Sequence, residues 1–151
     1  MTPDFDKAMM QLAINQAKLA AAAGEVPVGA IALWDGEVIA SAHNRREADK
    51  NALAHAELLA IAQACQRLGG WRLYRCTLYV TLEPCPMCAG AIINARIKRV
   101  VFGARDKKAG CFGSVCDLSS LPFNHKPQIL PGVLGEECAT LLKDFFRGLR
   151  R

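Results

Sequence analysis

The sequence predicts a layered α/β domain built on a mixed sheet of about five strands. Strand-like and helix-like segments alternate along most of the chain. The first two strands are joined by an Asp-Gly hairpin signal, which makes the sheet mixed rather than wholly parallel. A length of 151 residues, 52% of them hydrophobic, suits one substantial core and one domain spanning 1–151.

The elements follow in order. Phe5, Ala8, Met9, Leu12, Ala13, Leu19, Ala20 and Ala23 keep helical spacing, interrupted by Gln16, so a first helix is expected over Asp4 to Ala23, stopped by Gly24. Pro27 to Leu33 reads as a strand, Asp35-Gly36 as a tight turn, and Glu37 to Ala42 as the returning strand. Asn44 to Asn51 is polar and irregular. A second helix is expected from near Ala54 to Leu68, ended by Gly69-Gly70, then a strand over Cys76 to Leu82. Pro86 to Ala95 reads as a helix and Arg99 to Phe102 as a strand. Gly103 to Pro127 reads as loop with one short helix, and Gln128 to Leu130 as a last short strand. The final helix carries Cys138, Leu141, Leu142, Phe145, Phe146 and Leu149 on one stripe, with Glu136 and Glu137 at its start and arginines at its end.

No run of roughly 18 uncharged apolar residues is present, so no membrane span is expected. The N-terminal stretch lacks the basic-then-apolar layout of a signal peptide, and a cytoplasmic location is the default expectation. Seven cysteines, an odd number, argue against a disulfide framework. Cys65, Cys76, Cys111, Cys116 and Cys138 are expected to be small buried or half-buried apolar residues. The net charge of +5 is modest. Its distribution is more telling. Arg96, Lys98, Arg99, Arg105, Lys107 and Lys108 form one cluster opposed only by Asp106, and Lys143, Arg147, Arg150 and Arg151 form another. Two such clusters suit either a polyanionic substrate or an ordinary solvated surface.

The chemistry is concentrated in His55-Ala56-Glu57 and Pro84-Cys85-Pro86-Met87-Cys88. One imidazole and two thiols can hold zinc and leave its fourth position open for water, the mark of a catalytic site. Cys85 and Cys88, three apart at a helix start, place both sulfurs on one face, where the helix N-terminus favours thiolate. His55 and Glu57 differ by about 200° on a regular helix, so they cooperate only from a first turn, pointing past the helix end. Two thiolates and a neutral imidazole cancel the zinc charge. The metal then acidifies water weakly, and Glu57 is required as the base that takes the water proton and passes it to the substrate. Hydroxide attack on an amidine-like carbon is hydrolytic deamination. In the rival reading the zinc is structural, and His43 or His125 supplies a fourth ligand.

The combination H-x-E…P-C-x-x-C marks zinc nucleobase deaminases. Over nearly its whole length the chain resembles the bacterial tRNA-specific adenosine deaminases, within the cytidine deaminase-like superfamily. The matching strings include Glu25-Val26-Pro27-Val28-Gly29-Ala30, Thr77 to Cys85, Cys88-Ala89-Gly90-Ala91, Val100 to Asp106 and Asp144-Phe145-Phe146-Arg147. The resemblance implies a three-layer α/β/α fold, a homodimer, one zinc per subunit and conversion of the wobble adenosine to inosine in the anticodon of an arginine tRNA. It implies His55, Cys85 and Cys88 as ligands and Glu57 as proton shuttle. It also implies Asn44 as a base contact, Val28 and Ala56 as pocket walls, and Asp106 in a loop that meets the RNA. For Asn44 turn chemistry, for Val28 core packing and for Asp106 an ordinary loop acid are the competing readings. Phe145 and Phe146 fit the core better than base stacking. Leu53, Cys111 and Phe112 depart from the family pattern near the RNA-facing loops, and a deaminase of free bases or nucleosides is the alternative function.

Overall fold

The structure is a computed structural model and describes residues 1–149; Arg150 and Arg151, counted in the second basic cluster, lie outside the described residues. The chain runs α1 (Pro3–Ala22), β1 (Gly29–Trp34), β2 (Glu37–His43), α2 (Ala56–Leu68), β3 (Cys76–Leu82), α3 (Pro86–Asn94), β4 (Arg99–Ala104), a short 3₁₀ turn at Leu118–Ser120, β5 (Gln128–Leu130) and α4 (Gly135–Leu149). Thr2 caps α1 by accepting the Phe5 N–H at 3.1 Å, with Pro3 in the first turn. Asp35 and Gly36 both take positive φ, 50° and 82°, the conformation a tight β1–β2 hairpin of matching twist requires.

The sheet order is β2-β1-β3-β4-β5. Strand β1 is antiparallel to both β2 and β3, while β3, β4 and β5 are parallel. The expected mixed five-stranded sheet is therefore present. Because β2 and β3 both oppose β1, they share a direction, and the helices that follow them begin at the same edge of the sheet. That topological fact places the N-termini of α2 and α3 side by side.

Alternation along the strands divides the core into two layers. Ala30, Ala32, Leu78, Val80, Val100 and Phe102 meet Ala56, Ala60 and Ala64 of α2 and Ala89 and Ile92 of α3. Ile31, Leu33, Tyr79 and Val101 meet Met10, Ala13 and Ile14 of α1 and Cys138 of α4. The result is the α/β/α sandwich. On the second face, buried Asp6 receives both Arg99 guanidinium nitrogens at 2.8 and 2.7 Å and the Tyr79 hydroxyl at 2.6 Å, which ties α1 to β3 and β4.

The boundaries differ from expectation by two residues at three places and by one at several others. Strand β1 begins at Gly29, since Val28 N–H turns back to the Val26 carbonyl. Helix α2 begins at Ala56, because Ala54 is used by the preceding loop, donating to the Asn51 carbonyl and accepting from Arg45 N–H. Strand β4 continues through Gly103 and Ala104, where Ala104 pairs with Leu82. Tertiary pairing decides these ends. Cys116 is exposed, contrary to the apolar reading of it; it sits in the surface turn closed by Gly113 N–H on its own carbonyl.

Candidate metal centre and active site

His55 is the N-cap of α2, in extended conformation (φ −78°, ψ 148°), and Glu57 lies in the first turn. Cys85 is the N-cap of α3 (φ −73°, ψ 175°), Pro86 follows, and Cys88 completes the first turn. The caps let His55 and Cys85 aim past the helix ends toward one point. His55 Nδ1 lies 3.7 Å from Cys85 Sγ and 3.5 Å from Cys88 Sγ. Zinc–sulfur and zinc–nitrogen bonds at a tetrahedral angle give an N···S separation of about 3.6 Å. The donor types and their spacing thus fit zinc. Among the described residues this is the one His/Cys/Asp/Glu cluster close enough to hold a metal. His43 Nδ1 is instead at 2.9 Å from the Asn44 carbonyl and His125 Nε2 at 2.7 Å from the Ile97 carbonyl, so neither histidine joins the cluster as a fourth ligand.

The site's electrostatics follow from these contacts. The neighbouring Cys88 thiol, with His55, lowers the Cys85 thiol to about 4. The same pairing, with burial, raises Cys88. His55 is raised, chiefly by its bond to Cys85. Burial pushes the Glu57 carboxyl up to about 7, and its residue is only 4% exposed. A carboxyl that exchanges its proton near neutrality suits general acid–base work.

Two further polar side chains hold this edge together. Asn44, buried, accepts the Ala56 N–H at 2.8 Å and donates to the Val26 carbonyl at 3.2 Å. It thereby satisfies one of the free N–H groups at the start of α2 beside His55. Val28 and Ala56 are both buried in the core layer beneath. Glu83 was not singled out from sequence. It is 1% exposed and accepts the N–H groups of Asp106, Phe112 and Ser114 at 3.1 Å each, together with the Ser114 hydroxyl. Those bonds hold its carboxyl below the ordinary carboxylate range against the opposing effect of burial. Gly110 lies directly on this carboxylate, where a Cβ would collide with it. Asp106 shapes the same loop by accepting the N–H groups of Lys108 and Ala109 at 3.1 and 3.2 Å. The signal available in sequence was an acid closing an otherwise buried strand, two residues before a metal-site cysteine. Glu25, equally buried, accepts the N–H groups of Glu47 and Ala48 and so holds the 44–51 loop.

Comparison with known proteins agrees with this geometry. The MafB19-like deaminase family model matches residues 4–150. The tRNA-specific adenosine deaminase of Bacillus subtilis (strain 168) is 52% identical over 147 residues, covering 97% of this chain and 91% of that protein. That of Haemophilus influenzae is 43% identical, covering 97% and 86%. A solved structure from a study of A-to-I editing by tRNA:A34 deaminases superposes with a TM-score of 0.87 at 43% identity, covering 89% of this chain and 99% of that one. The chain belongs to the tRNA-specific adenosine deaminase family.

In this family member the basic residues are distributed differently from their order in sequence. The cluster over residues 96–108 is split by β4, with Arg96, Lys98 and Arg99 at the strand's start and Arg105, Lys107 and Lys108 beyond its end. Of the latter group, Arg105 and Lys108 meet the final helix. Lys108, Leu142, Lys143, Phe146 and Arg147 line one cavity of about 450 Å³. Phe146 is shared with a second of about 280 Å³, lined also by Glu25, Val26, Asn44, Arg46 and Phe145. Phe145 is half-buried and Phe146 is 42% exposed, so the core reading of this pair is corrected. Along α4 only Cys138 is buried; its second half faces the surface segments 24–26 and 44–47. Leu53 is 57% exposed on the loop before His55. No helix of the described residues is long and apolar enough to cross a membrane.

Proposed function

We propose that this chain hydrolyses adenosine to inosine at the wobble position of a tRNA anticodon. His55, Cys85 and Cys88 hold one zinc per subunit. The observation that carries the reading is a buried Glu57 beside three donor atoms spaced for zinc. A zinc ion held there would supply Lewis-acid activation of water. Glu57 accepts the proton of the attacking water and delivers it to the departing amino nitrogen, so that adenosine and water become inosine and ammonia. Its burial keeps that proton from bulk solvent.

In this reading Asn44 and Val28 contact a flipped-out adenine, and the Asn44 amide, which donates to the Val26 carbonyl, has a second N–H to offer it. Ala56, fully buried, serves by fixing Asn44 through its N–H. Asp106 shapes the loop offered to the RNA. The aromatic and cationic cavities shared by α4 and Lys108 take the nucleotides and phosphates that flank the target. An anticodon loop is already unpaired, which lowers the cost of extruding its base. The names of the relatives support tRNA as substrate, and the family resemblance extends the proposal to an arginine tRNA and a cytoplasmic location. A homodimer fits the outward face of α3, where Met87, Gly90, Ala91 and Asn94 carry no charge.

Inosine mapping of tRNA after incubation with the purified zinc-loaded protein tests the reading. Inosine at the wobble position is expected. Its absence from every tRNA at full zinc occupancy overturns it. Equal activity on free nucleosides, insensitive to salt, would favour the free-base alternative.

A further inference from the structure

We infer that a second RNA-binding surface, built around Trp71, Arg72, Arg96 and Lys98, lies at the opposite edge of the sheet from the metal site. It rests on tRNA being the substrate. Two connections form it, the segment from α2 into β3 and the segment from α3 into β4. They are laced together by Leu73 N–H on the Ala95 carbonyl at 2.8 Å and Lys98 N–H on the Cys76 carbonyl at 3.2 Å. Leu73 and Ile97, each 1% exposed, anchor them in the core. What remains outside is aromatic and cationic. Trp71 is 48% and Tyr74 53% exposed. The Arg72 guanidinium stands 4.4 Å and that of Arg96 5.8 Å from the centroid of the Trp71 ring.

Two features argue for an anionic partner. Among the described residues Arg72, Arg96 and Lys98 have no carboxylate partner, whereas neighbouring Arg75 and Arg99 pair with Asp35 and Asp6. Arg96 is also held in place: its backbone has φ 64°, and its guanidinium donates to the Ile93 and Asn94 carbonyls at 3.0 Å each. A half-exposed indole flanked by guanidinium groups, with cations left uncompensated, matches the sugar-phosphate backbone and exposed bases of RNA. Helix α2 separates this surface from His55 by about 20 Å, so the RNA it holds lies outside the nucleotides at the active site.

The test uses full-length tRNA and the zinc-loaded protein, with binding read by anisotropy over a salt series. The double variant Arg72→Glu/Lys98→Glu is expected to lose at least about ten-fold in affinity and to flatten the log–log salt slope by about 1.4–1.8, the value for two phosphate contacts. KM for editing rises while kcat at saturation holds. In a Trp34→Phe background Trp71 is the sole tryptophan, and its emission is expected to change on tRNA addition. Unchanged affinity, slope and emission overturn the proposal, as does unchanged tRNA binding with an altered oligomeric mass, which would mark a protein contact. If the parent protein itself neither binds nor edits tRNA, the underlying functional reading fails instead.

Discussion

Glu83 accepts the Phe112 N–H at 3.1 Å, joining the end of β3, two residues before Cys85, to a loop that follows β4. The same carboxylate collects Asp106 and Ser114. One buried charge therefore sets both the strand that leads to Cys85 and the loop proposed to meet the RNA. Glu83→Gln keeps the shape but turns one acceptor oxygen into a donor facing N–H groups. A loss of about 2–3 kcal/mol is expected. Faster hydrogen exchange at the Asp106, Phe112 and Ser114 amides should accompany a raised KM for RNA. Unaltered exchange at those amides would contradict this role.

Glu57→Ala should lower the rate of inosine formation by at least about 10²–10⁴ while zinc content stays near one per chain. Loss of zinc in this variant would instead point to a ligand role for Glu57.

If Glu57 is the general base, the acid limb of the pH–rate profile should report the same carboxyl. As base it must be ionised, so activity falls as pH drops through its pKa. Burial, the largest of several opposing influences, puts that value at about 7, and a bound cation would move it lower. A break in kcat/KM at or below pH 7 is expected, measured on an anticodon stem-loop. A rate that rises toward acid pH would contradict the assignment.

Cys85→Ala and Cys88→Ala should each abolish stoichiometric zinc, as measured by elemental analysis, because two donors remain. His43→Ala and His125→Ala should leave zinc content unchanged, since both imidazoles are engaged with backbone carbonyls.

The Asp6–Arg99 pair governs acid stability. Arg99 holds the Asp6 carboxyl below its ordinary value. Its stabilising contribution is present above the unfolded-state value of about 3.9 and is lost as pH falls through the lower folded value. Asp6→Asn should destabilise the protein at pH 7 by about 2 kcal/mol and flatten the loss of stability below pH 4, as followed by denaturant titration. A variant with the parent's acid profile would rule this pair out.

Much of this was legible in the linear chain. Hydrophobic periodicity located the first and last helices, and turn, cap and breaker residues marked the other elements of the described residues, because a half-buried helix repeats its apolar residues at its own period. The candidate metal-binding group was legible because metal donors are few in kind and their spacing is local: Cys85 and Cys88 need only one helical turn to converge, and the proline signal marked where that turn begins. The sequence by itself therefore determined the fold class and marked the candidate donor set and the candidate acid–base residue. The tertiary structure alone decided which distant segments meet. It showed that β1 opposes both β2 and β3, which brings the start of α2 to the start of α3. It put Arg105 and Lys108 beside α4 and sent Arg96 and Lys98 to the far edge. It gave Glu83 and Glu25 loops to hold, and left Phe146 uncovered although its helical stripe predicted burial. Periodicity reports that a side chain faces a particular side of its own element, whereas burial depends on what packs against that side, and no local pattern encodes that neighbour.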